Sequence, residues 1–137
     1  MRKQVAMFSM MAAVVGLIGI LGAAAPTLTI KQAMQKIAGK KGALPVVKAA
    51  IKSESPDWKS LQASTKVIAD SSAAIVDAKP SKGEKADFEV LAKALAGNAK
   101  DLHEAAEKED LAAVKSAAGK IGTSCKACHD AHKGQSK

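Results

Sequence analysis

One stretch near the C-terminus decides the fold: residues 110–132, which read DLAAVKSAAGKIGTSCKACHDAH. Apolar side chains and two cysteines recur in it at steps of three and four, the repeat of a single face of an α-helix. The members of this stripe are Leu111, Val114, Ala118, Ile121, Cys125, Cys128 and His132. Asp110 precedes the stripe and is a good helix cap. The stretch therefore predicts a last helix that turns both cysteines toward the inside of a helical bundle.

Five residues of this stretch, Cys125-Lys126-Ala127-Cys128-His129, form the pattern C-x-x-C-H, the attachment signature of c-type haem. On a helix the two cysteines share a face and His129 lies one turn after Cys125, so all three side chains can meet one flat group. The thiols add to vinyl groups at the porphyrin edge, and the imidazole binds the iron. The pattern predicts one covalently bound haem c, with Cys125 and Cys128 as attachment sites and His129 as proximal ligand.

Three other interpretations use the same side chains. A dithiol active site usually places C-x-x-C at a helix N-terminus after a strand, whereas here about three turns of helix precede the motif. A zinc site made of Cys125, Cys128, His129 and His132 would draw four ligands from a single helix, which cannot easily surround a tetrahedral ion. A structural disulfide would leave His129 without a role. We therefore favour haem.

The N-terminus has the pattern of a secretory signal peptide. Arg2 and Lys3 are followed by an uncharged run from Val5 to about Leu21 and then by small residues. We expect a signal peptide over residues 1–25, cleaved near Ala24 or Ala25, and a haem domain over residues 26–137. Localisation would then be periplasmic, where c-type haem is attached in bacteria. The alternative is an uncleaved segment that tethers the protein to the membrane.

The chain is basic and poor in aromatic residues, with a formal net charge of +8, one tryptophan, two phenylalanines and no tyrosine. A basic surface fits redox partner proteins with an acidic surface or an anionic membrane face, although lysines dispersed over solvated helix faces are the simpler explanation of the charge. Nucleic acid is excluded as a partner, because no reading motif and no aromatic–basic pairing accompanies the lysines.

The remaining chain predicts three further helical arms and no strand. Thr27 or Thr29 caps a first arm interrupted between Gly39 and Pro45. Ser55-Pro56-Asp57 begins a second arm that runs to about Ala78, with serine as the cap. A third runs from about Glu84 to Lys108. Short connections make sequential helices antiparallel, which predicts an all-α, up-down four-helix bundle with the haem in its core.

The second axial ligand decides whether the iron carries electrons or binds gases. Met34 is the leading candidate, because the other methionines lie within the first 25 residues, although a lone methionine on an apolar stripe also simply fills a core. His103 is the histidine alternative, unless it lies at a helix surface. His132 lies one turn from His129, on the same side of the haem, and cannot bind opposite to it.

The chain resembles the class II cytochromes c, the family of cytochromes c′ and their low-spin relatives of the cytochrome c556 type. Three features carry the resemblance: C-x-x-C-H on the last helix, a four-helix bundle, and the segment TIKQAMQK at residues 29–36. This segment is similar to the first-helix motif whose methionine is the sixth ligand in low-spin members. The resemblance implies that role for Met34, although the interruption after Gly39 makes the first helix shorter than is usual. It also leaves open a homodimer formed through the first two helices.

These observations predict an exported monohaem cytochrome c that carries single electrons through a low-spin iron bound by His129 and Met34. The alternative is a pentacoordinate, cytochrome c′-like protein that binds nitric oxide or carbon monoxide, with Met34 only packing. No acid–base pair or nucleophile constellation is present, so no enzymatic activity of its own is expected.

Overall fold

The computed structural model describes residues 27–133, which form five α-helices and, within that range, no strand. The helices are α1 (Ile30–Ala38), α2 (Ala43–Ala50), α3 (Trp58–Ala73), α4 (Lys85–Glu107) and α5 (Leu111–His132). Together α1 and α2 are one arm broken in the middle, which packs on α3, so the whole is a four-helix bundle. The predicted fold class is confirmed.

The break in the first arm follows from its glycines. Thr29 begins α1 with a capping box, in which its hydroxyl accepts from the Gln32 amide and the Gln32 side chain accepts from the Thr29 amide. A Cβ on Gly39 would lie 2.4 Å from the Gln35 carbonyl oxygen, and one on Gly42 2.8 Å from that of Ile37. Only glycine permits this close backbone approach, and the chain restarts as α2.

Polar contacts show that α3 and α4 are antiparallel. Gln62 donates to the Ala106 carbonyl at 3.1 Å, and one turn later the Thr65 hydroxyl lies 3.0 Å from Nδ1 of His103. As numbers rise along α3, those of its partners on α4 fall. The start of α3 differs from the prediction, because Asp57 and not Ser55 caps it, accepting from the Ser60 amide at 3.3 Å.

A three-residue connection reverses the chain between α4 and α5. The Asp110 backbone amide donates to the Ala105 carbonyl, and the Glu109 backbone amide donates to the Ala106 carbonyl, both at 3.1 Å. This pair of hydrogen bonds defines a Schellman motif. Glu109 takes the left-handed conformation, with φ of 54°, that glycine usually supplies in this motif. The Asp110 carboxylate then caps α5 by accepting from the Ala113 amide at 2.9 Å. The reversal brings α5 back along α4, with which it packs extensively.

Two clusters of buried apolar side chains fill the bundle. The larger cluster, which we call the closed core, has members from all five helices, and Trp58 packs at its edge. Its buried members are Ile37, Ala43, Val47, Leu61, Ile68, Leu95, Ala99, Leu102, Ala105, Ala106, Val114, Ala117 and Ile121. The smaller, which we call the cavity-side core, consists of Ala33, Ile75, Phe88 and Ala92. Aliphatic side chains and alanine make up the closed core, whereas the cavity-side core also contains the aromatic ring of Phe88.

Among the residues described, no helix has the length and apolar character needed to cross a membrane. The predicted signal peptide over residues 1–25 lies outside the described residues, and its cleavage stays a prediction.

Candidate haem site

A cavity of about 860 Å³ lies between the start of α1, the α3–α4 connection, the first half of α4 and the end of α5. Its wall is largely apolar and contains all four of the predicted site residues, Cys125, Cys128, His129 and Met34. The other lining residues are Thr29, Ile30, Lys31, Ile75, Ala78, Lys79, Pro80, Ser81, Phe88, Ala92, Leu95, His132 and Lys133. The structure thus brings together residues that are almost a hundred positions apart in the sequence.

The two cysteines join the two cores at the cavity wall. Cys125 packs against the closed core and Cys128 against the cavity-side core, and both thiols are free. Burial raises the pKa of the Cys125 thiol above its ordinary value of 9.0, opposed by the Lys48 ammonium. Burial and then the proximity of Cys125 raise the pKa of the Cys128 thiol. A dithiol active site requires the opposite shift, so the environment disfavours that alternative.

The two histidines at the end of α5 have different surroundings. His129 is exposed at the cavity wall, whereas His132 is buried with 6% of its surface exposed. Nδ1 of His132 lies 2.9 Å from the Lys82 carbonyl oxygen, and its ring meets that of Phe88 edge-on, with centroids 5.5 Å apart. Buried Nε2 of His132 has no hydrogen-bond partner among the residues described. The sequence stripe predicted that His132 faces inward, and it does.

Met34 lies on α1, where it packs against both cores and lines the cavity while remaining half-buried. The position of Met34 is therefore compatible with both of its predicted roles, which are to bind the iron and to fill the core.

His103 does not reach the cavity. Its ring bridges Thr65 on α3 and Glu107 on its own helix, with Nε2 3.5 Å from the Glu107 carboxylate. Its side chain is 22% exposed, so it is neither at the open surface nor near the other site residues. This location removes the histidine alternative for the second axial position. Residues 27–133 contain no group of three or more histidine, cysteine or acidic side chains arranged to hold a metal ion.

Two parts of the site were not identified from the sequence. One is the connection between α3 and α4, which supplies Lys79, Pro80 and Ser81 to the cavity wall although its sequence indicates only a loop. The other is the hydrogen bond between the Asn98 amide and the Ser124 hydroxyl, 2.8 Å long, which ties α4 to the residue before Cys125. Pro80 and Gly83 were the available signal for the first, because proline fixes φ whereas glycine permits the positive φ of 83° found there.

The residues present fit a c-type haem. The cavity volume lies within the range of small-molecule sites, about 300–1,000 Å³. Its wall is apolar, as a porphyrin face requires. Two neutral thiols stand one turn apart on one wall, with an imidazole beside them. Among the described residues, Lys31, Lys79 and Lys133 line the cavity and no acidic residue does, which suits a cofactor that carries two carboxylates.

The fold and this constellation define a four-helix c-type cytochrome. Residues 26–133 match the model of a protein family described as cytochrome C′. The chain therefore belongs to the cytochrome c′ family, within the class II cytochromes c, and its cofactor is one covalently attached haem c.

Two solved structures agree with this assignment. A cytochrome c′ from Thermochromatium tepidum is 25% identical, with a TM-score of 0.56, and the match covers 68% of this chain and 84% of that one. A second cytochrome c′, described as having an unusual ligand-controlled dimer dissociation, is 23% identical with a TM-score of 0.58 and the same coverage. The second similarity shows the fold alone. No curated protein sequence is significantly similar to this chain.

Proposed function

We propose that this protein is an exported monohaem cytochrome c′ whose iron is held by His129 and binds a small diatomic gas, nitric oxide or carbon monoxide, at an open axial position. The observation that carries this proposal is the apolar cavity lined by Cys125, Cys128 and His129 in a chain of the cytochrome c′ family. This was the alternative of the two functions predicted from the sequence, and family membership favours it.

In this proposal each side chain has a simple task. The Cys125 and Cys128 thiols would each form one thioether to the haem, and the rigid spacing of α5 keeps both on the same wall. His129 presents its imidazole from the next turn. Apolar side chains such as Ile30 and Ile75 exclude water from the cavity. When bound, the haem supplies an iron that takes up diatomic ligands and exchanges one electron.

A low-spin electron carrier is the second candidate, and the position of Met34 favours it. Met34 lines the same cavity as the α5 residues but belongs to α1, and its thioether is a known axial ligand that raises the reduction potential. In the first candidate the Met34 side chain would only fill space in the cavity.

The optical spectrum of the holoprotein distinguishes the two candidates. We compare wild type with Met34→Leu, which preserves volume, and with Ile37→Val, a control on the same helix at a residue that does not line the cavity. The gas-binding proposal predicts a high-spin wild type that binds carbon monoxide when reduced, and little change in either variant. A low-spin wild type that becomes high-spin only in Met34→Leu would contradict it and support the electron carrier.

Covalent attachment is tested separately, by acid–acetone extraction of the purified holoprotein. Colour that stays with the protein is expected. Colour that passes into the acetone, or a colourless protein from a host able to attach haem, would contradict the whole proposal rather than the choice between its two forms.

The partners that we propose are redox proteins with an acidic surface. Lys31, Lys79 and Lys133 surround the cavity without an acidic neighbour in its wall, so the haem end of the protein carries positive charge. Such charge accelerates encounter with an acidic partner and does so less as salt rises. We place these partners in the periplasm, to which the predicted signal peptide would direct the chain. Catalysis of a reaction is not part of the proposal.

A homodimer is also proposed, through the first arm and α3. A shallow apolar groove lies there, lined among others by Ala43, Val46, Ala63 and Val67, and both valines are about 40% exposed. The second cytochrome c′ described above has a dimer whose dissociation is controlled by a ligand. Sedimentation of Val67→Glu tests the proposal, with Val90→Glu on α4 as a control of equal charge. Loss of a dimer in the first variant alone is expected; a monomeric wild type would contradict it.

A further inference from the structure

The last turn of α5 is held to the bundle by one side chain. Of residues 129–133, His132 alone is buried, and the others are exposed. A helix end with so few contacts frays readily. His129, the proposed iron ligand, lies in this turn, so the position of its imidazole depends on what fixes the turn.

His132 fixes it by three contacts with the α3–α4 connection and α4. Its Nδ1 lies 2.9 Å from the Lys82 carbonyl oxygen and must carry the hydrogen, because a carbonyl only accepts. Its ring packs edge-on against Phe88. The backbone of Gly83 lies so close to the ring that a Cβ there would be 2.5 Å from Nδ1.

Gly83 is adapted to this approach in a second way. Its φ of 83° is one that residues with a side chain rarely adopt. The connection that this glycine shapes also supplies Lys79, Pro80 and Ser81 to the cavity wall. The contact between His132 and Lys82 therefore fixes two things at once, the end of α5 and the loop that closes the cavity.

The haem-attachment motif is thus tied at both ends. Before Cys125, Ser124 accepts a hydrogen bond from Asn98 on α4. Three residues after His129, His132 donates to Lys82. Between these ties, α5 presents Cys125, Cys128 and His129 to the cavity.

We propose that His132 is a positioning residue for the haem iron: its Nδ1–H, bonded to the Lys82 carbonyl, fixes the last turn of α5 and with it the orientation of the His129 imidazole. The proposal rests on the proposed role of His129 as proximal ligand. It assigns His132 no contact with the haem itself.

Two substitutions separate the hydrogen bond from the packing. His132→Phe keeps an aromatic ring against Phe88 but has no donor for Lys82. His132→Asn loses the ring but places an amide N–H near the position of Nδ1. Both are made in the holoprotein, and each is measured by the electron paramagnetic resonance spectrum of the ferric iron, which depends on the orientation of the axial imidazole. Hydrogen exchange of the Lys133 amide, bonded to the His129 carbonyl at 3.2 Å, reports on the turn.

We expect a broadened or split resonance in His132→Phe and exchange of the Lys133 amide roughly three- to tenfold faster, the range for one lost hydrogen bond. In His132→Asn the exchange rate of the Lys133 amide should stay within about twofold of the wild-type rate. A His132→Phe protein that matches wild type in both measurements would overturn the proposal. Equal changes in both variants would do the same, because packing would then be the cause.

Gly83→Ala provides a second route if His132→Phe does not fold. The added methyl displaces the loop from the intact histidine and should change the resonance in the same way. Gly97→Ala is the control, since a Cβ at Gly97 meets nothing within 4 Å. Identical spectra for the two alanine variants would contradict the proposal. If instead His129→Ala leaves the wild-type resonance unchanged, the proposed ligand is wrong, while the amide exchange of His132→Phe still tests the tie to Lys82.

Discussion

In the closed core, side chains from five helices contact one another directly, whereas on the cavity side the helices stand apart around a space of about 860 Å³. The closed core is made of thirteen buried aliphatic and alanine side chains; the cavity-side core has four buried members. We expect the first region to be held together by protein contacts alone and the second to need a large apolar body to complete it. The difference shows how a chain with few aromatic residues divides stability and binding between two regions.

The largest expected effect separates the two regions completely. Cys125→Ala combined with Cys128→Ala removes both attachment thiols, so we expect no covalent haem after acid–acetone extraction. The closed core contains neither residue among its buried members, so helical circular dichroism should largely remain. Covalent haem in the double variant would contradict the assignment, and complete unfolding would show that the regions are not separable.

A matched pair of leucines on α4 sharpens the comparison. Leu102 is buried in the closed core, whereas Leu95 belongs to that core and also lines the cavity. Leu102→Ala should lower the free energy of unfolding by about 2–5 kcal/mol and leave the haem spectrum unchanged.

Leu95→Ala is expected to cost less, about 2 kcal/mol, because part of its surface adjoins the cavity. It should shift the spectrum or the carbon monoxide affinity of the reduced protein. Urea unfolding and gas titration measure the two effects. A spectral change in Leu102→Ala, or none in Leu95→Ala, would remove the distinction between the regions.

A polar bridge within the closed region should have a smaller effect. Thr65 is fully buried on α3, and its hydroxyl lies 3.0 Å from Nδ1 of His103 and 3.1 Å from the Gln62 carbonyl oxygen. Thr65→Val keeps the shape but loses both contacts, so stability should fall by about 1 kcal/mol. Gas binding should be unaffected, because His103 does not line the cavity. An altered haem spectrum would contradict that separation.

The smallest effect concerns the turn between α4 and α5. Glu109 has a φ of 54°, which strains a residue that carries a Cβ. Glu109→Gly should raise the free energy of unfolding by about 0.5–1 kcal/mol, despite the greater freedom of glycine in the unfolded chain. Lys108→Gly, at a position with an ordinary φ of −80°, is the control and should destabilise. If the free energy of unfolding rose in both variants, backbone strain at Glu109 would not be the explanation.

The sequence predicted those features that depend on local pattern. The stripe along α5 placed Val114, Ile121 and His132 in the interior, and Asp110 is the cap that was expected. The limits of α4 differ by one residue at each end from the prediction. These predictions succeed because helical periodicity and helix capping depend on residues that are only a few positions apart.

Features that depend on distant partners were harder to predict. α3 ends at Ala73 rather than about Ala78, and turns replace its expected last residues, although Ile75 still reaches the cavity-side core. His103 was weighed as a ligand or a surface residue, but its bond to Thr65 makes it a bridge between helices. The hydrogen bond between His132 and the Lys82 carbonyl joins residues 50 positions apart, and no local sequence pattern predicts it.

Trp58, packed at the edge of the closed core and half-buried, gives the molecule a convenient property. It is the only tryptophan, and the chain has no tyrosine, so near-ultraviolet fluorescence comes from this one ring. The visible absorption of the haem reports on the opposite region. Fluorescence and colour can therefore be followed in one denaturation experiment, and coincident curves would show that both regions unfold as a single cooperative unit.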